Sequence, residues 1–464
     1  MQAEQHVHFI GIGGYGMSAI ARVLLDLGLR VTGSDLAENK LTESLIQRGA
    51  EIHFGHDASL VEGADCVVYS TSIAADNVEL VAARAKGIPV LHRSKMLARL
   101  LNSKKGIAVA GAHGKTTTSS MIAQTMEECG ADPTYVIGGE VVGLGSNAKA
   151  GKSDYVVAEA DESDGSFLEY TPEIAVITNI EPDHLENYGG SFDNLKQAYR
   201  QFLSHVRRTG VAVLCWDDPY VREISNEFQG RVISYGINQP ADYRATNIHQ
   251  EGQRIRFTVQ HHEEVLGEVI IYIPGVHNVS NALAALIVCL ETGLSFEEAA
   301  KALARFKGAK RRFHVVGEVK DILIVDDYAH HPTEIRATLN GVKSLNRRIV
   351  AVFQPQRYSR THLLMEEFSH AFHDADEVII TRIYAPAGEK PIEGVTSQRL
   401  TELIQKNSNP RTTYCDTLAD VEKYLLHHVV PGDLVLTMGA GDIWKVAHQL
   451  LHSLETQAKV EKSS

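Results

Sequence analysis

Gly111-Ala112-His113-Gly114-Lys115-Thr116-Thr117 follows the apolar run IAVA and precedes Met121, Ile122 and Met126 at helical spacing. A glycine turn at a helix start gathers unpaired backbone N–H groups, which cradle phosphate. The lysine neutralises terminal phosphate oxygens, and the threonine hydroxyl can ligate Mg²⁺. A full phosphate-loop pattern asks for glycine at position 109, where Val109 stands. The strand before the turn and the helix after it carry the assignment. A loop lysine of this kind is expected to be exposed, so that removing it spares the fold.

A second glycine turn comes earlier. Gly11-Ile-Gly13-Gly14-Tyr-Gly16 follows the strand-like VHFI, and Asp35 ends the next strand, LRVTGSD. Glycines at this spacing let backbone approach a pyrophosphate at a helix N-terminus, and the acid is placed to hydrogen-bond a sugar hydroxyl. The motif indicates a nucleotide diphosphate in general, with NAD and FAD included. The same glycines would also serve a turn used only for close packing.

Other polar residues stand at strand ends. Glu159 ends YVVAE, and Asp161, Glu162 and Asp164 follow it. Clustered carboxylates there suit Mg²⁺, and equally suit a solvated acidic loop. His184 lies beyond the strand IAVITNI and gains interest only from convergence with Thr116 and Glu159. Asn278 and Asn281 open a helical stretch, where asparagine serves as a cap or as a reader of a base edge. Arg312 ends the basic run Lys310-Arg311-Arg312 at a candidate hinge, where a cation could clamp phosphate. Asp326-Asp327-Tyr328-Ala-His330-His331 follows DILIV; the adjacent histidines suggest zinc, but no partners complete a tetrahedral set. Arg357 and Arg360 follow RRIVAVFQPQ and suit a carboxylate gripped by guanidinium.

These residues need strands that end together. Apolar runs alternate with helical spacing along the chain, which predicts parallel sheets covered by helices, with ligands outside the strands' carboxyl ends. Three α/β units are expected, at residues 1–103, 104–309 and 310–464. The two breaks fall in the polar stretch Asn102–Gly106 and the basic stretch Lys307–Arg312. Residues 230–275 look β-rich, and the tail after Glu455 is expected to fray. The chain has 464 residues, 44% of them hydrophobic, and a net charge of −13, which argues against nucleic-acid binding. Five scattered cysteines without CxxC spacing indicate free thiols in a reducing cytoplasm. The N-terminus lacks the pattern of a secretion signal, and no apolar run approaches the length of a membrane span.

In order along the chain, GIGGYGMS, GAHGKTTT, AEADESDGSF, TNIEPDH, HNVSNALAA, DDYAHHPTE and FQPQRYSRT together resemble the Mur ligases. The resemblance implies an N-terminal Rossmann-like domain that binds UDP and not NAD. It implies a central P-loop-type ATP-binding α/β domain and a C-terminal Rossmann-like α/β domain that brings the amino acid and closes. It further implies an ATP-dependent ligase of peptidoglycan precursor synthesis, joining L-alanine to the carboxylate of UDP-N-acetylmuramate through an acyl phosphate. ADP and phosphate are released. The implied cofactor is Mg²⁺, or Mn²⁺ in its place, and the protein is expected to be a cytoplasmic monomer or homodimer.

The same resemblance places the ligands residue by residue. ATP goes to Gly111, Ala112, His113, Gly114, Lys115, Thr116, Thr117, Asn278, Asn281, Arg312 and Asp327. The UDP-sugar goes to Gly11, Gly13, Gly14, Gly16, Asp35, Ser70, Thr71 and Ser72, and alanine to Tyr328, His330, Arg357 and Arg360. Thr116, Glu159 and His184 hold the metal, and Lys115, His184 and Arg312 act in catalysis. Some relatives carry a carbamylated lysine about fifteen residues after the metal-binding histidine; Tyr199 stands there with Lys196 nearby, so no carbamate is expected. A related ligase that attaches a whole peptide to the same sugar nucleotide, an NAD-dependent oxidoreductase and a non-catalytic nucleotide-binding regulator are the competing readings.

Overall fold

The computed structural model describes residues 5–386 and 389–463, with side chains described to Lys459. Two compact units are present. One comprises the chain up to Ile248 with Phe257–Ile271 and Val279–Phe306; the other comprises His249–Arg256, Tyr272–Asn278 and the chain from Lys307.

The first unit begins with a five-stranded sheet in the spatial order Glu51–Phe54, Arg30–Asp35, His6–Ile10, Cys66–Tyr69, Val90–His92. All four pairings are parallel. Ile10 is paired with both Ser34 and Tyr69, so the turns beginning at Gly11, Asp35 and Ser70 emerge side by side. The helix Tyr15–Asp26 follows the first turn because Met17, Ile20, Val23 and Leu24 form one apolar face, all of it buried. That helix also packs on the strands Thr134–Val141 and Ser146–Lys149.

A ten-stranded sheet holds the phosphate loop. Its centre runs Val211–Cys215, Ile174–Ile177, Lys105–Ala110, Tyr155–Glu159. Val109 pairs with Glu159 and Ala110 with Ile177, so Gly111, Ala160 and Thr178 leave the sheet at one edge. These central strands are buried on both faces, which is why they read as apolar runs without alternation. Phe167 packs on Phe202 and Tyr199, with ring centroids 5.2 and 5.3 Å away.

The second unit carries a six-stranded sheet ordered His314–Val319, Ile322–Asp327, Asp433–Met438, Arg348–Phe353, Glu377–Thr381, Thr412–Cys415. Its first strand is antiparallel and the others are parallel. Three sheets of parallel-rich α/β build are thus present, as the alternating pattern predicts. No helix among the described residues is long and apolar enough to cross a membrane.

Two local expectations need correction. The tail does not fray at Glu455, because the last helix runs Trp444–Ser463. Leu450 and Leu454 anchor it, and glutamate, glutamine, alanine and lysine sustain the remaining turns by propensity. Asn278 and Asn281 are not caps, because their helix starts at Val276.

Candidate functional site

The first turn is held from beneath. Gly11 and Ile12 donate to the Ser34 carbonyl at 2.8 and 3.0 Å, and Gly13 donates to Asp35 Oδ2 at 2.7 Å. Asp35 therefore buttresses the loop in this structure, a role that the sequence reading did not include. Gly14 is the helix N-cap, and the first turn leaves the N–H groups of Tyr15, Gly16 and Met17 outside the helical ladder. Ser70, Thr71 and Ser72 form a turn next door; Ile73 at its end would meet a Cβ on Gly11 at 3.1 Å. Behind them lies buried Glu79, 2.7 Å from His8, 2.9 Å from Ser34 and 2.6 Å from His56, which ties the sheet to the following helix.

The phosphate loop is built to a similar plan. Gly114 has φ +84 and heads the helix Lys115–Glu128. A Cβ there would lie 2.5 Å from Asn281 Oδ1, so both the backbone angle and the space call for glycine. Asn281 also accepts from the Thr118 hydroxyl at 3.2 Å, and it thereby braces the loop. Asn179 accepts from the N–H groups of Ala112 (3.2 Å, through its carbonyl) and His113 (2.8 Å, through its side chain). Thr178 and Asn179 donate back to the His113 carbonyl at 2.6 and 3.0 Å. Sequence reasoning missed both residues as loop supports, although they lie in the quoted TNIEPDH.

The Lys115 side chain is only 16% exposed, which overturns the expectation of an exposed lysine. Its ammonium donates to both Glu162 oxygens at 2.8 Å and to the Gly111 carbonyl at 2.5 Å. Burial works against its charge, but Glu162 and Asp161 outweigh that and raise its pKa. Burial pushes Glu162 up against the pull of Lys115. Asp161 is held low despite burial, by Lys115 and by Ser163. The acidic loop is thus a counter-charge for the lysine, and the solvated reading fails for these two members.

Glu159 and Thr116 come together, with the hydroxyl donating to Oε2 at 3.2 Å. Gly138 N–H donates to Oε1 at 2.6 Å and fixes the carboxylate. His184 is not drawn into this pair. It sits at φ +54, with Asp183 at 3.5 Å and Glu186 at 3.8 Å as its near carboxylates. Tyr199 is fully buried in the aromatic stack and acts as core at the position compared with a carbamylated lysine.

In the second unit, Asp327 accepts from the N–H groups of Phe313 and Ala329 at 2.7 and 2.8 Å, and burial pushes its pKa up to about 6. Arg312 lies 3.3 Å from Glu334 and stacks over the Tyr328 ring at 5.0 Å. His330 packs edge-on to Tyr328, and burial pushes it down to about 4, with Arg360 also opposing its protonation. Arg360 is buried and bonds Gln356 at 3.0 Å, whereas Arg357 is exposed at φ +67. The two arginines are therefore not an equivalent pair: Arg360 faces the Tyr328–His330 loop, and Arg357 caps the short helix Tyr358–Leu363. Asn278 donates to the Pro274 carbonyl at 2.7 Å, within its own segment.

Comparison with known proteins agrees with this layout. Residues 6–105 match the Mur ligase family catalytic domain, 109–289 the Mur ligase middle domain and 311–441 the Mur ligase glutamate ligase domain. The chain is 50% identical to a UDP-N-acetylmuramate–L-alanine ligase of Symbiobacterium thermophilum, over 100% of this chain and 98% of that one. It resembles the crystal structure of the UDP-N-acetylmuramate–alanine ligase of Thermotoga maritima with TM-score 0.81 and 28% identity, covering 97% of this chain and 99% of the other. A murein peptide ligase from Psychrobacter arcticus follows at TM-score 0.69 and 26% identity, covering 97% and 98%. With family matches reaching from residue 6 to residue 441 and half the residues shared with a full-length relative, this chain belongs to the Mur ligase family.

Proposed function

We infer that the protein is an ATP-dependent ligase that joins L-alanine to UDP-N-acetylmuramate. One observation carries the reading most directly. A diphosphate-type glycine turn and a phosphate loop with a lysine, a threonine and a strand-end carboxylate stand in one compact unit. An acyl-activating ligase needs both, because one nucleotide is the substrate's handle and the other is the phosphoryl donor.

The lactyl carboxylate oxygen attacks the γ-phosphorus of ATP, and ADP leaves. The alanine amine then attacks the acyl carbon, and phosphate departs as the amide forms. Lys115 neutralises the phosphate charge that develops, and the loop N–H groups orient the chain of phosphates. Catalysis of this kind is positioning and charge compensation. The hydroxyl of Thr116 and the carboxylate of Glu159, 3.2 Å apart, are hard oxygen donors that fit a divalent cation such as Mg²⁺. When bound, the cation supplies charge neutralisation at the phosphates. His184 would be a third ligand of that cation on the family resemblance alone. Asn278, Asn281, Arg312 and Asp327 are assigned to the ATP side, and Tyr328, His330 and Arg360 to alanine. The three sheets support domains at 1–103, 104–309 and 310–464.

Phosphate release from ATP with UDP-N-acetylmuramate, scanned over single amino acids and a tripeptide, tests this reading. Release with alanine supports it, and release only with the tripeptide would transfer the assignment to the peptide-adding relative. Turnover with no amino compound, or none at all, would remove it.

A further inference from the structure

Arg93 opens the helix Arg93–Asn102, and nothing in the motifs gives it a task. It faces a cavity of about 110 Å³ whose walls include Tyr15, Gly16, Gly138, Glu159 and Asp161. Its wall thus takes in both the first turn of the glycine-loop helix and carboxylates beside the phosphate loop. The guanidinium is half-buried, and the opposing charge it acts on is Asp161, whose carboxyl it helps to hold low without closing to an ion pair. Its Nη1 lies 3.4 Å from where a Cβ on Gly16 would stand.

A half-buried cation that only a carboxylate at a distance offsets keeps its hydrogen-bond donors unused, and an arriving anion can take them. Two features locate that anion. The N–H groups of Tyr15, Gly16 and Met17 and the positive helix end draw negative charge to the Gly16 side of the cavity. Glu159 and Asp161, in the same wall, repel it from their own part of the cavity. Gly16 also leaves room: any larger residue would place its Cβ within contact of the guanidinium and narrow the gap that the anion must enter.

We propose that Arg93 binds the diphosphate of the sugar nucleotide, gripping it from across the Gly16 turn while the helix N-terminus holds the other side. The proposal rests on the sugar-nucleotide reading above and adds a residue to it. A guanidinium, with its planar fork of donors, suits phosphate oxygens better than an ammonium does.

The test uses the full chain, with Arg93→Ala and Arg93→Lys followed by calorimetry. The probes are UDP, UDP-N-acetylglucosamine (which has the diphosphate but no lactyl carboxylate), UDP-N-acetylmuramate and ATP. Arg93→Ala is expected to weaken the three uridine ligands about 10- to 100-fold each, with ATP unchanged. Arg93→Lys should recover part of the loss, and it serves as the measured variant if the alanine form does not fold. Uridine-ligand affinities within twofold of wild type would overturn the proposal. A loss confined to UDP-N-acetylmuramate would do so as well, by moving Arg93 to the carboxylate. Wild-type protein that bound none of the uridine ligands would instead bring down the sugar-nucleotide reading itself.

Discussion

Lys115 is folded onto Glu162 and its own loop, so the incoming phosphates must displace a buried ion pair to gain the lysine. Lys115→Ala should abolish ligation, by about a thousandfold or more in kcat. It should also destabilise the protein by about 1–4 kcal/mol, because it strands the Glu162 carboxylate in a dry site. Adding Glu162→Gln should restore most of that stability and none of the activity; a double variant as unstable as the single one would show that the pair is not the cause. Denaturant melts and turnover read the two effects separately. The lysine was legible in GAHGKT, but its partner was not, since Glu162 lies 47 residues away. Two groups in the second unit predict a pH signature. Asp327 titrates at about 6 when folded, against 3.8 ordinarily, so its contribution falls as pH rises from about 4 to 6. His330 titrates at about 4 against 6.5, so its contribution rises over about the same window. The two oppose each other. Asp327→Asn should expose the histidine alone, and stability should then climb by about 3 kcal/mol between pH 4 and 6.5, more steeply than in wild type. An equal slope in both proteins would mean that one of the two groups is not buried as described.

At the scale of elements, the site follows from register. Ile10 aligned with Ser34 and Tyr69, and Ala110 aligned with Ile177, bring loop starts together that are far apart in sequence. Strands such as IAVA and IAVI were legible because burial on both faces leaves no polar alternation, and glycines marked where they end. Arg93 was not legible: it is an ordinary basic residue at a helix start, and its cavity exists only once that helix lies beside the one that begins at Tyr15. The last helix was misread because its apolar spacing stops at Leu454, whereas its hydrogen bonding continues on propensity to Ser463. That division predicts two outcomes. Leu450→Ala, which opens a hole under a fully buried side chain, should cost about 2–4 kcal/mol. Truncation after Glu455 removes turns whose described side chains, Thr456, Gln457, Ala458 and Lys459, are exposed or half-buried, and it should cost less than about 1 kcal/mol. A truncation as damaging as Leu450→Ala would mean that the final turns have a partner surface.

Across the whole molecule, the nucleotide-binding turns and the residues assigned to alanine belong to different compact units. Affinity for UDP and affinity for alanine should therefore each respond to its own unit, whereas the residues assigned to ATP are divided between the two. The sequence suggested a symmetric pair, Arg357 and Arg360, but the folded chain separates them. Arg360 is 9% exposed and close enough to His330 to disfavour its protonation, whereas Arg357 is exposed on left-handed backbone and donates its N–H to the Tyr384 carbonyl at 2.9 Å. A carboxylate held by a buried guanidinium loses about 2–4 kcal/mol when that partner is truncated, and an exposed one typically loses less than about 1. Arg360→Ala should thus raise the KM for alanine roughly 30- to 1000-fold, and Arg357→Ala only a few-fold. Both variants should bind UDP as wild type does, because the glycine turn lies in the other unit. Steady-state kinetics with alanine varied, beside calorimetry with UDP, separate the possibilities. Equal KM effects from the two arginines would restore the symmetric clamp, and a matching loss of UDP affinity would show that the units do not bind independently.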